Sequence, residues 1–347
     1  MEYLGIDVHK SESQICRLTE LGEIIEQRVA TRADRFAVVL GALPRARILI
    51  EASTESEWVA RCLEELGHEV IVADPNFAPM YASRSRRVKT DRRDAQALMD
   101  ACRLGAYRAS HRTSETQRRV RTLLAVRDNL VRTRVRQVQL IRALLRREGL
   151  RPRSGQVSSF AKRMDELDTP AWLREILAPV RAVMDALNRE MVTVEQSIAH
   201  IVQDDPVVQR LCTAPGIGPV TAVAFVSTLD QVQRFEGAHK VQAYIGLVPS
   251  EFSSGERQQR GAITKTGNTR LRWLMVEAAW SVMRSRHPRT EDLRRWAQAI
   301  AARRGQRIAI VALGRKLAGI LFAMWRDETE FGRKATASRA PEQACVA

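Results

Sequence analysis

The fold is decided by YLGIDV at residues 3–8, an apolar run that carries a single acid, Asp7. Such a run predicts a buried β-strand. An ionised carboxylate on a buried strand costs free energy unless another group compensates its charge. The stretch therefore predicts a sheet in this part of the chain, and it also requires an explanation for the acid within it.

The segments that follow alternate between strand-like and helix-like patterns up to residue 104. Three strands precede the first helix with only short breaks, so we expect an antiparallel meander; the later strands alternate with helices and should pair in parallel. The predicted strands are 3–8, 13–18, 23–30, 47–52 and 69–73, and the predicted helices are 33–43, 55–66, 77–83 and 91–104. The order βββαβαβα predicts an α/β domain of the ribonuclease-H-like fold over residues 1–110.

Three further acids are placed to join Asp7 in a metal site. Glu51 ends the apolar run 48–51, and Asp91 and Asp94 lie one turn apart at the start of a predicted helix. Carboxylate oxygens suit Mg²⁺ or Mn²⁺, and two such ions about 3.5–4 Å apart activate a nucleophile and stabilise a leaving oxygen. All four acids are therefore predicted metal ligands and catalytic residues of a phosphodiester enzyme.

Two neighbouring residues are weaker candidates for this site. Asp74 follows an apolar run and is typical of a turn at the end of a strand, so it is only an alternative fifth acid. His9 follows the first strand, where a single histidine is more often structural than catalytic. Asp91 and Asp94, taken alone, also fit the solvated start of an ordinary helix.

The net charge of the chain indicates a polyanionic partner. The formal charge is +16 over 347 residues, and residues 101–155 alone hold fifteen arginines, no lysine and three acids, a net charge of +12. Arginine favours forked contacts with phosphate. The predicted nucleic-acid contacts from this region are Arg118, Arg119, Arg132, Arg134 and Arg136.

Cysteine usage and hydropathy argue against secreted and membrane classes. The five cysteines are scattered without a CxxC pair, so neither a zinc site nor a disulfide framework is indicated. No signal peptide is visible before the first strand. Arg315 and Lys316 interrupt the apolar stretch 308–325, which disfavours a membrane span. We expect a cytoplasmic protein without a membrane partner.

Residues 111–203 are predicted to form long arginine-rich helices with a coiled-coil seam. Apolar residues repeat every seven positions from Leu124 to Leu145, and a stronger series with alternating spacings of three and four runs from Leu177 to Ile201. Two interpretations stay open: amphipathic helices that pack on their own domain, or an intermolecular or long antiparallel coiled coil.

Residues 204–326 are predicted to be mainly helical, with two glycine-bearing loops. PGIG at 215–218 fits a helix-hairpin-helix turn, in which Gly216 and Gly218 permit a tight turn and free amides hold a phosphate. A simple helix–helix turn is the alternative. The polar residues 327–347 are predicted to be a disordered tail.

The second loop, GLVPSEFSSG at 246–255, is followed by several cations. A serine in such a loop can attack phosphorus while the cations stabilise the charge that develops, although Ser-Ser-Gly is also a common loop sequence. The cations that we predict as nucleic-acid contacts are Arg257, Arg260, Lys265 and Arg270.

Five motifs together resemble the insertion-sequence one-ten family of bacterial DEDD transposases, also called bridge-RNA-guided serine recombinases. The resemblance covers residues 1–325 in the family's order. It implies an N-terminal RuvC-like domain, a coiled coil and a C-terminal transposase domain. The motifs are GIDVHK at 5–10, IEAS at 50–53, KTDRRDA at 89–95, PGIG at 215–218, and GLVP with SSG within 246–255.

The resemblance also implies roles for individual residues. The family's four metal-binding acids match Asp7, Glu51, Asp91 and Asp94. Its catalytic serine stands immediately before the glycine of the loop and matches Ser254, with Ser253 as a neighbour that leaves the reacting hydroxyl open.

The activity that the resemblance implies is DNA recombination through a covalent serine–DNA intermediate. A structured non-coding RNA would select the donor and target duplexes, and the protein would act as a homo-oligomer, a dimer or tetramer, at the bacterial nucleoid. Two other interpretations remain: a metal-dependent nuclease of the Holliday-junction type with water as nucleophile, and a non-enzymatic nucleic-acid-binding protein.

Overall fold

The strand that carries Asp7 lies at the centre of a mixed β-sheet. The structure, a computed structural model, describes residues 1–81, 90–252 and 259–332. The sheet has the order β3-β2-β1-β4-β5, in which β1, β2 and β3 are antiparallel and β4 and β5 run parallel to β1. Its strands are β1 (Tyr3–Val8), β2 (Glu12–Leu18), β3 (Ile24–Ala30), β4 (Arg47–Glu51) and β5 (Glu69–Ala73). The predicted meander and the predicted parallel pairing are confirmed.

Helices cover both faces of this sheet. Side chains alternate between the faces along a strand, so Leu4, Ile6 and Val8 share one core with α1 and α2, whereas Leu49 packs with α3 on the other face. These helices are α1 (Ala33–Leu40), α2 (Ser56–Glu65) and α3 (Asp91–Leu104). The predicted helix 77–83 is wrong over its described part, which is a short 3-10 helix, Ala78–Tyr81. Pro79 disfavours the α-helical conformation of the residue before it, Ala78.

Gly5 allows α3 to lie directly on the backbone of β1. A Cβ atom at this position would be 2.2 Å from the carbonyl oxygen of Ala95 and 2.2 Å from the amide nitrogen of Met99. Both neighbours are backbone atoms of α3, so no side chain can rotate away to make room. The glycine therefore brings the start of α3 close to the end of β1.

The chain from Ser114 onward forms a second compact unit. Its described residues are mostly helical and include one two-stranded hairpin. Its helices are α4 (Glu115–Arg147), α5 (Phe160–Asp165), α6 (Ala171–Asp204), α7 (Pro206–Cys212), α8 (Pro219–Leu229), α9 (Ala238–Tyr244), α10 (Thr269–Arg284), α11 (Glu291–Arg304) and α12 (Gln306–Arg326), and its hairpin consists of β6 (Pro249–Glu251) and β7 (Arg260–Ile263).

The long helices α4 and α6 pack antiparallel within one chain. Leu145 at the end of α4 shares a core with Leu173 at the start of α6, whereas Leu124 shares a core with Ile198. The predicted seam of α6 is buried at seven-residue intervals, at Leu177, Met184, Met191 and Ile198. Since Leu124 and Ile198 belong to the core that α8, α10 and α12 build, the predicted regions 111–203 and 204–326 lie in one compact unit.

Among the described residues, α12 alone has the length and hydropathy of a membrane-spanning helix. Its residues Leu313, Leu317 and Leu321 are fully buried in the core of the second unit. A core helix packed in this way passes the same test of length and hydropathy, so the observation is weak evidence for a membrane span.

Candidate active site

Asp7 and Glu51 lie side by side at the ends of two parallel strands. Ile6 of β1 is in register with Ile50 of β4, so the next residue of each strand is one of the two acids. Alternation along the strands places both acids on the face that α3 covers, opposite the face where Ile6 and Ile50 are buried. The sheet thus holds two carboxylates on rigid, adjacent strands.

Asp91 and Asp94 occupy the first turn of α3. Thr90 caps this helix, because its hydroxyl accepts a hydrogen bond from the amide of Arg93. The positive end of the helix dipole stabilises carboxylates in this turn. Asp94 is buried, with 6% of its surface exposed. The close packing of α3 on Gly5 brings this turn to the same edge of the sheet as Asp7.

His9 lies between two of the acids. Its Nε2 is 3.3 Å from Asp7 Oδ2 and 3.4 Å from Asp91 Oδ1. The possible ligand atoms of Asp7, His9 and Asp91 all lie within 4.8 Å of one another. The sequence favours a structural role for His9, and the structure in addition places its ring nitrogen within the acidic cluster.

The charges of the other three predicted acids affect the pKa of Asp7. Burial raises the pKa of the Asp7 carboxyl; His9 lowers that pKa, and the charges of Asp94, Asp91 and Glu51 raise it further. The Asp7 side chain is only 14% exposed. Burial and the three neighbouring acids disfavour the charge of Asp7, and divalent Mg²⁺ or Mn²⁺, which prefers hard oxygen donors, would compensate that charge. The donor set therefore fits the predicted metal.

Two other residues of the first unit have clear roles near these acids. Tyr81 donates its hydroxyl hydrogen bond to Glu51 Oε2 and so positions that carboxylate. Asp74 accepts a 2.9 Å hydrogen bond from the amide of Asn76 and forms an ion pair with Arg108. The backbone hydrogen bond from Asn76 and the guanidinium of Arg108 lower the pKa of Asp74. Asp74 is therefore a turn residue, and the structural interpretation of it holds.

The strands β6 and β7 flank the predicted serine loop. Phe252 donates a backbone hydrogen bond of 2.9 Å to the carbonyl of Gln259, and Ser250 Oγ donates one of 2.9 Å to the carbonyl of Ala262. Ser253 and Ser254 lie outside the described residues, as does Arg257. Only the backbone of Arg260, in β7, is described.

The chain matches known transposases along most of its length. Residues 4–148 match the DEDD transposase family model of IS110, and residues 208–295 match the model of the IS116/IS110/IS902 transposase family. A probable family 20 transposase of Pseudomonas aeruginosa is 30% identical over 332 residues, which is 94% of this chain and 97% of that protein. The chain belongs to the IS110/IS116/IS902 family of transposases. The transposase for insertion sequence element IS1111A of Coxiella burnetii is 29% identical over 341 residues, 95% of this chain and 91% of that protein.

Membership of this family makes the protein a DNA transposase, so DNA is its partner and DNA recombination its function. The matched stretch, residues 4–148, includes Asp7 and the three acids whose charges act on it. The α/β unit described above is therefore the DEDD domain of this transposase, with the fold of a RuvC-like domain.

The arginines predicted as nucleic-acid contacts of this transposase differ in their exposure. On α4, Arg119 and Arg132 are exposed and form ion pairs with Glu115 and Asp128 of the preceding turn, and Arg136 is exposed as well. Arg118 is partly exposed. These positions leave several guanidinium groups open to phosphate.

Arg134 has a structural role instead. Its Nη1 donates a 3.2 Å hydrogen bond to Asn188 Oδ1 on α6, and burial lowers its pKa.

Arg270, at the start of α10, is partly buried beside Asp128. Lys265 is exposed, and its amide donates to the carbonyl of Gly246. Arg121, which the sequence did not single out, donates to the carbonyls of Ser227 and Thr228 at the end of α8.

Gly216 and Gly218, between α7 and α8, differ in whether the structure requires a glycine. Gly216 has φ +77°, and a Cβ there would be 2.6 Å from the carbonyl oxygen of Ala278 on α10. Its conformation and close contact explain the glycine without any ligand. Gly218 is the N-cap of α8 and has open space around it. A helix-hairpin-helix function of this turn stays a prediction.

Metal addition should stabilise this transposase at neutral pH. The raised pKa of Asp7 means that the folded protein keeps this proton where the unfolded chain has lost it, so unfolding free energy falls as pH rises above about 3.8 through the raised pKa. We expect Mg²⁺ at a hundred times its Kd to add about 2.7 kcal/mol at pH 7. Thermal melting in EDTA and in Mg²⁺ measures this.

The Asp7→Asn variant is the matched control for that measurement. Loss of the buried charge should raise the Tm in EDTA and remove most of the Mg²⁺ response. A wild-type Tm that is equal in EDTA and in millimolar Mg²⁺ or Mn²⁺ would contradict the metal assignment.

Proposed function

We propose that this transposase cuts and rejoins DNA through a covalent bond between Ser254 and a DNA phosphorus, at divalent metal ions held by an acidic tetrad. The tetrad is Asp7, Glu51, Asp91 and Asp94. The observation that carries the proposal is the convergence of these acids: Asp7 and Glu51 end adjacent strands, and the ligand atoms of Asp7, His9 and Asp91 lie within 4.8 Å of one another. Such a cluster on a nucleic-acid enzyme is typical of phosphodiester chemistry.

The proposed chemistry is two successive transesterifications. The Ser254 oxygen forms a bond to phosphorus, the bond from phosphorus to the neighbouring deoxyribose oxygen breaks, and that oxygen takes up a proton as a free hydroxyl. A hydroxyl end of the partner strand then attacks the same phosphorus and releases the serine. The number of phosphoester bonds is constant, so the exchange needs no external energy source.

The tetrad has a defined part in this scheme. When bound, Mg²⁺ or Mn²⁺ neutralises phosphate charge and lowers the cost of deprotonating an attacking hydroxyl. Asp7 and Glu51 supply oxygen ligands from the sheet, and Asp91 and Asp94 supply them from the first turn of α3. Tyr81 holds Glu51 in place by its hydrogen bond. Cations that follow the serine loop, such as the exposed Lys265, are suited to hold a phosphate beside that loop.

The choice of DNA partners belongs to the same proposal. Exposed arginines on α4 offer contacts to phosphates of a structured non-coding RNA that pairs with donor and target strands. The turn at Gly216 and Gly218 would add backbone contacts to phosphate as a helix-hairpin-helix element. Recombination of two duplexes fits a dimer or tetramer, in the bacterial cytoplasm at the nucleoid.

A second candidate function is a metal-dependent nuclease of the Holliday-junction type. The observation in its favour is that the four acids and His9 all belong to the first unit, which needs no serine if water attacks phosphorus. A non-enzymatic nucleic-acid-binding protein is the third alternative, and its acidic cluster would be structural only.

Recombination between donor and target plasmids should depend on the element's own non-coding RNA. The experiment mixes purified protein, Mg²⁺, both plasmids and that RNA, and quantifies the joined product by PCR across the new junction. We expect joining with the RNA, none without it, and none with an RNA whose pairing segments are scrambled. A target plasmid changed to match the scrambled segment should restore joining. Equal joining without RNA would overturn the guided part of the proposal.

A further inference from the structure

An open groove lies between α4 and α10 of the second unit, and an exposed tryptophan lines it. Its volume is about 720 Å³, within the usual range of small-molecule sites. Trp273, in the second turn of α10, is 52% exposed. The opposite wall is one face of α4, where residues spaced by four and by three line the groove: Asp128, Val131, Arg132, Val135 and Arg136.

The charges of this groove are arranged around a single acid. Asp128 forms ion pairs with Arg132, at 2.8 Å, and with Arg270, so its carboxylate is already neutralised. Arg132 and Arg136 are exposed, which leaves the wall with a positive balance. The guanidinium nitrogens of Arg270 are buried, so this residue neutralises Asp128 and does not face the solvent. Contacts from this wall to a phosphate therefore come from the exposed Arg132 and Arg136.

Two tryptophans of the second unit are half exposed, Trp273 at 52% and Trp172 at 51%, and of these Trp273 lines the groove. Trp280 and Trp325 pack against the core that α8, α10 and α12 build. Trp296 of α11 is covered by Lys316, whose Nζ lies 4.3 Å from the ring centroid. A half-exposed indole costs free energy in water, so its place beside the exposed Arg132 and Arg136 indicates a ligand with both an aromatic face and negative charge.

We propose that this groove binds an unpaired nucleotide of single-stranded nucleic acid. The base stacks on the indole of Trp273, and the exposed Arg132 and Arg136 contact the flanking phosphates. Stacking does not distinguish bases, so the site holds single-stranded segments without reading their sequence. The inference rests on the proposed function only in that such segments arise when duplexes are opened for strand exchange or when a guide RNA is bound.

Binding of labelled oligonucleotides tests this site directly. The probes are a fluorescein-labelled 20-nucleotide oligothymidylate and a labelled duplex of equal length, measured by anisotropy with the full chain. We expect Trp273→Ala to weaken binding of the single strand at least about fivefold and to change duplex binding less than about twofold. Trp273→Phe should keep most of the affinity, because a phenyl ring still stacks. An oligouridylate probe of the same length decides between RNA and DNA as the preferred strand.

Two further variants complete the design. Trp296→Ala removes a tryptophan outside the groove and should leave both affinities unchanged. Arg136→Ala should weaken both probes and lower the slope of log Kd against log salt by about one unit. The inference is overturned if Trp273→Ala binds oligothymidylate and oligouridylate like wild type, or if Trp273→Ala loses duplex and single-strand affinity equally. Oligonucleotide binding does not require strand cutting, so the two claims fail separately. If wild type joins DNA but Trp273→Ala binds the oligonucleotides with wild-type affinity, this inference alone is overturned. If wild type does not join DNA, the proposed function alone is overturned.

Discussion

Ser254→Ala should abolish strand joining, with a rate loss of roughly a thousandfold or more. The reason is chemical: without the hydroxyl no phosphoserine bond can form, and the energy of the broken phosphoester bond is then lost to water. The alanine variant keeps the acidic tetrad and the arginines of α4, so its affinity for DNA and RNA should be within about twofold of wild type. Quantification of joined junctions in the recombination assay, with gel-shift binding in parallel, measures both effects.

The loop offers two matched controls for this prediction. Ser253→Ala tests the neighbouring hydroxyl and should retain joining if Ser254 is the nucleophile. Ser250→Ala removes the hydroxyl of β6 that donates to the carbonyl of Ala262 and should retain it as well. Normal joining by Ser254→Ala together with loss in Ser253→Ala would move the nucleophile by one residue. Normal joining by both would leave the acids as the whole active site.

Asp7→Asn should lower the rate of DNA cutting at least about a hundredfold, since loss of a metal ligand removes several kcal/mol of transition-state stabilisation. Asparagine has nearly the same shape, so the strand β1 should remain folded. It also lacks the charge whose burial raises the pKa of Asp7, so the variant should be no less stable than wild type. Initial rates of cutting of a labelled duplex, measured over a range of Mg²⁺ concentrations, report the loss.

Asp74→Asn is the matched control, because Asp74 is paired with Arg108 and caps its own turn. It should cut DNA at close to the wild-type rate. If Asp7→Asn cuts and joins like wild type, the acidic cluster is structural and the metal assignment fails. If Asp7→Asn is inactive and Ser254→Ala still cuts, the Holliday-junction type of nuclease is the better description.

Much of the acidic site follows from the spacing of residues along the sequence. A period of two places Asp7 and Glu51 on one face of neighbouring strands, and a spacing of three places Asp91 and Asp94 on one face of a helix. What spacing cannot give is the packing of α3 on the sheet. That packing depends on Gly5, whose missing side chain lets the backbone of α3 approach β1.

Other parts of the site depend on contacts that leave no pattern in the sequence. Tyr81 reaches Glu51 across thirty residues, and no periodicity indicates its partner. His9 stands two residues after Asp7, and in an extended chain such residues point to the same face. This spacing is the feature of the sequence that could have placed His9 in the cluster. Arg134 belongs to an arginine-rich surface by composition, yet its guanidinium meets Asn188 of α6. Tertiary packing decides whether a single side chain is exposed, so the number of charges in a segment does not predict which arginines face the solvent.

The covalent adduct between protein and DNA tests the central claim most directly. Wild-type protein is incubated with Mg²⁺, RNA and end-labelled DNA, denatured, and separated on a denaturing gel with and without protease. The account predicts a labelled band at the mass of protein plus DNA that protease removes, and that is absent for Ser254→Ala and for wild type in EDTA. DNA cut efficiently by wild type, with no such band at any time point, would contradict it.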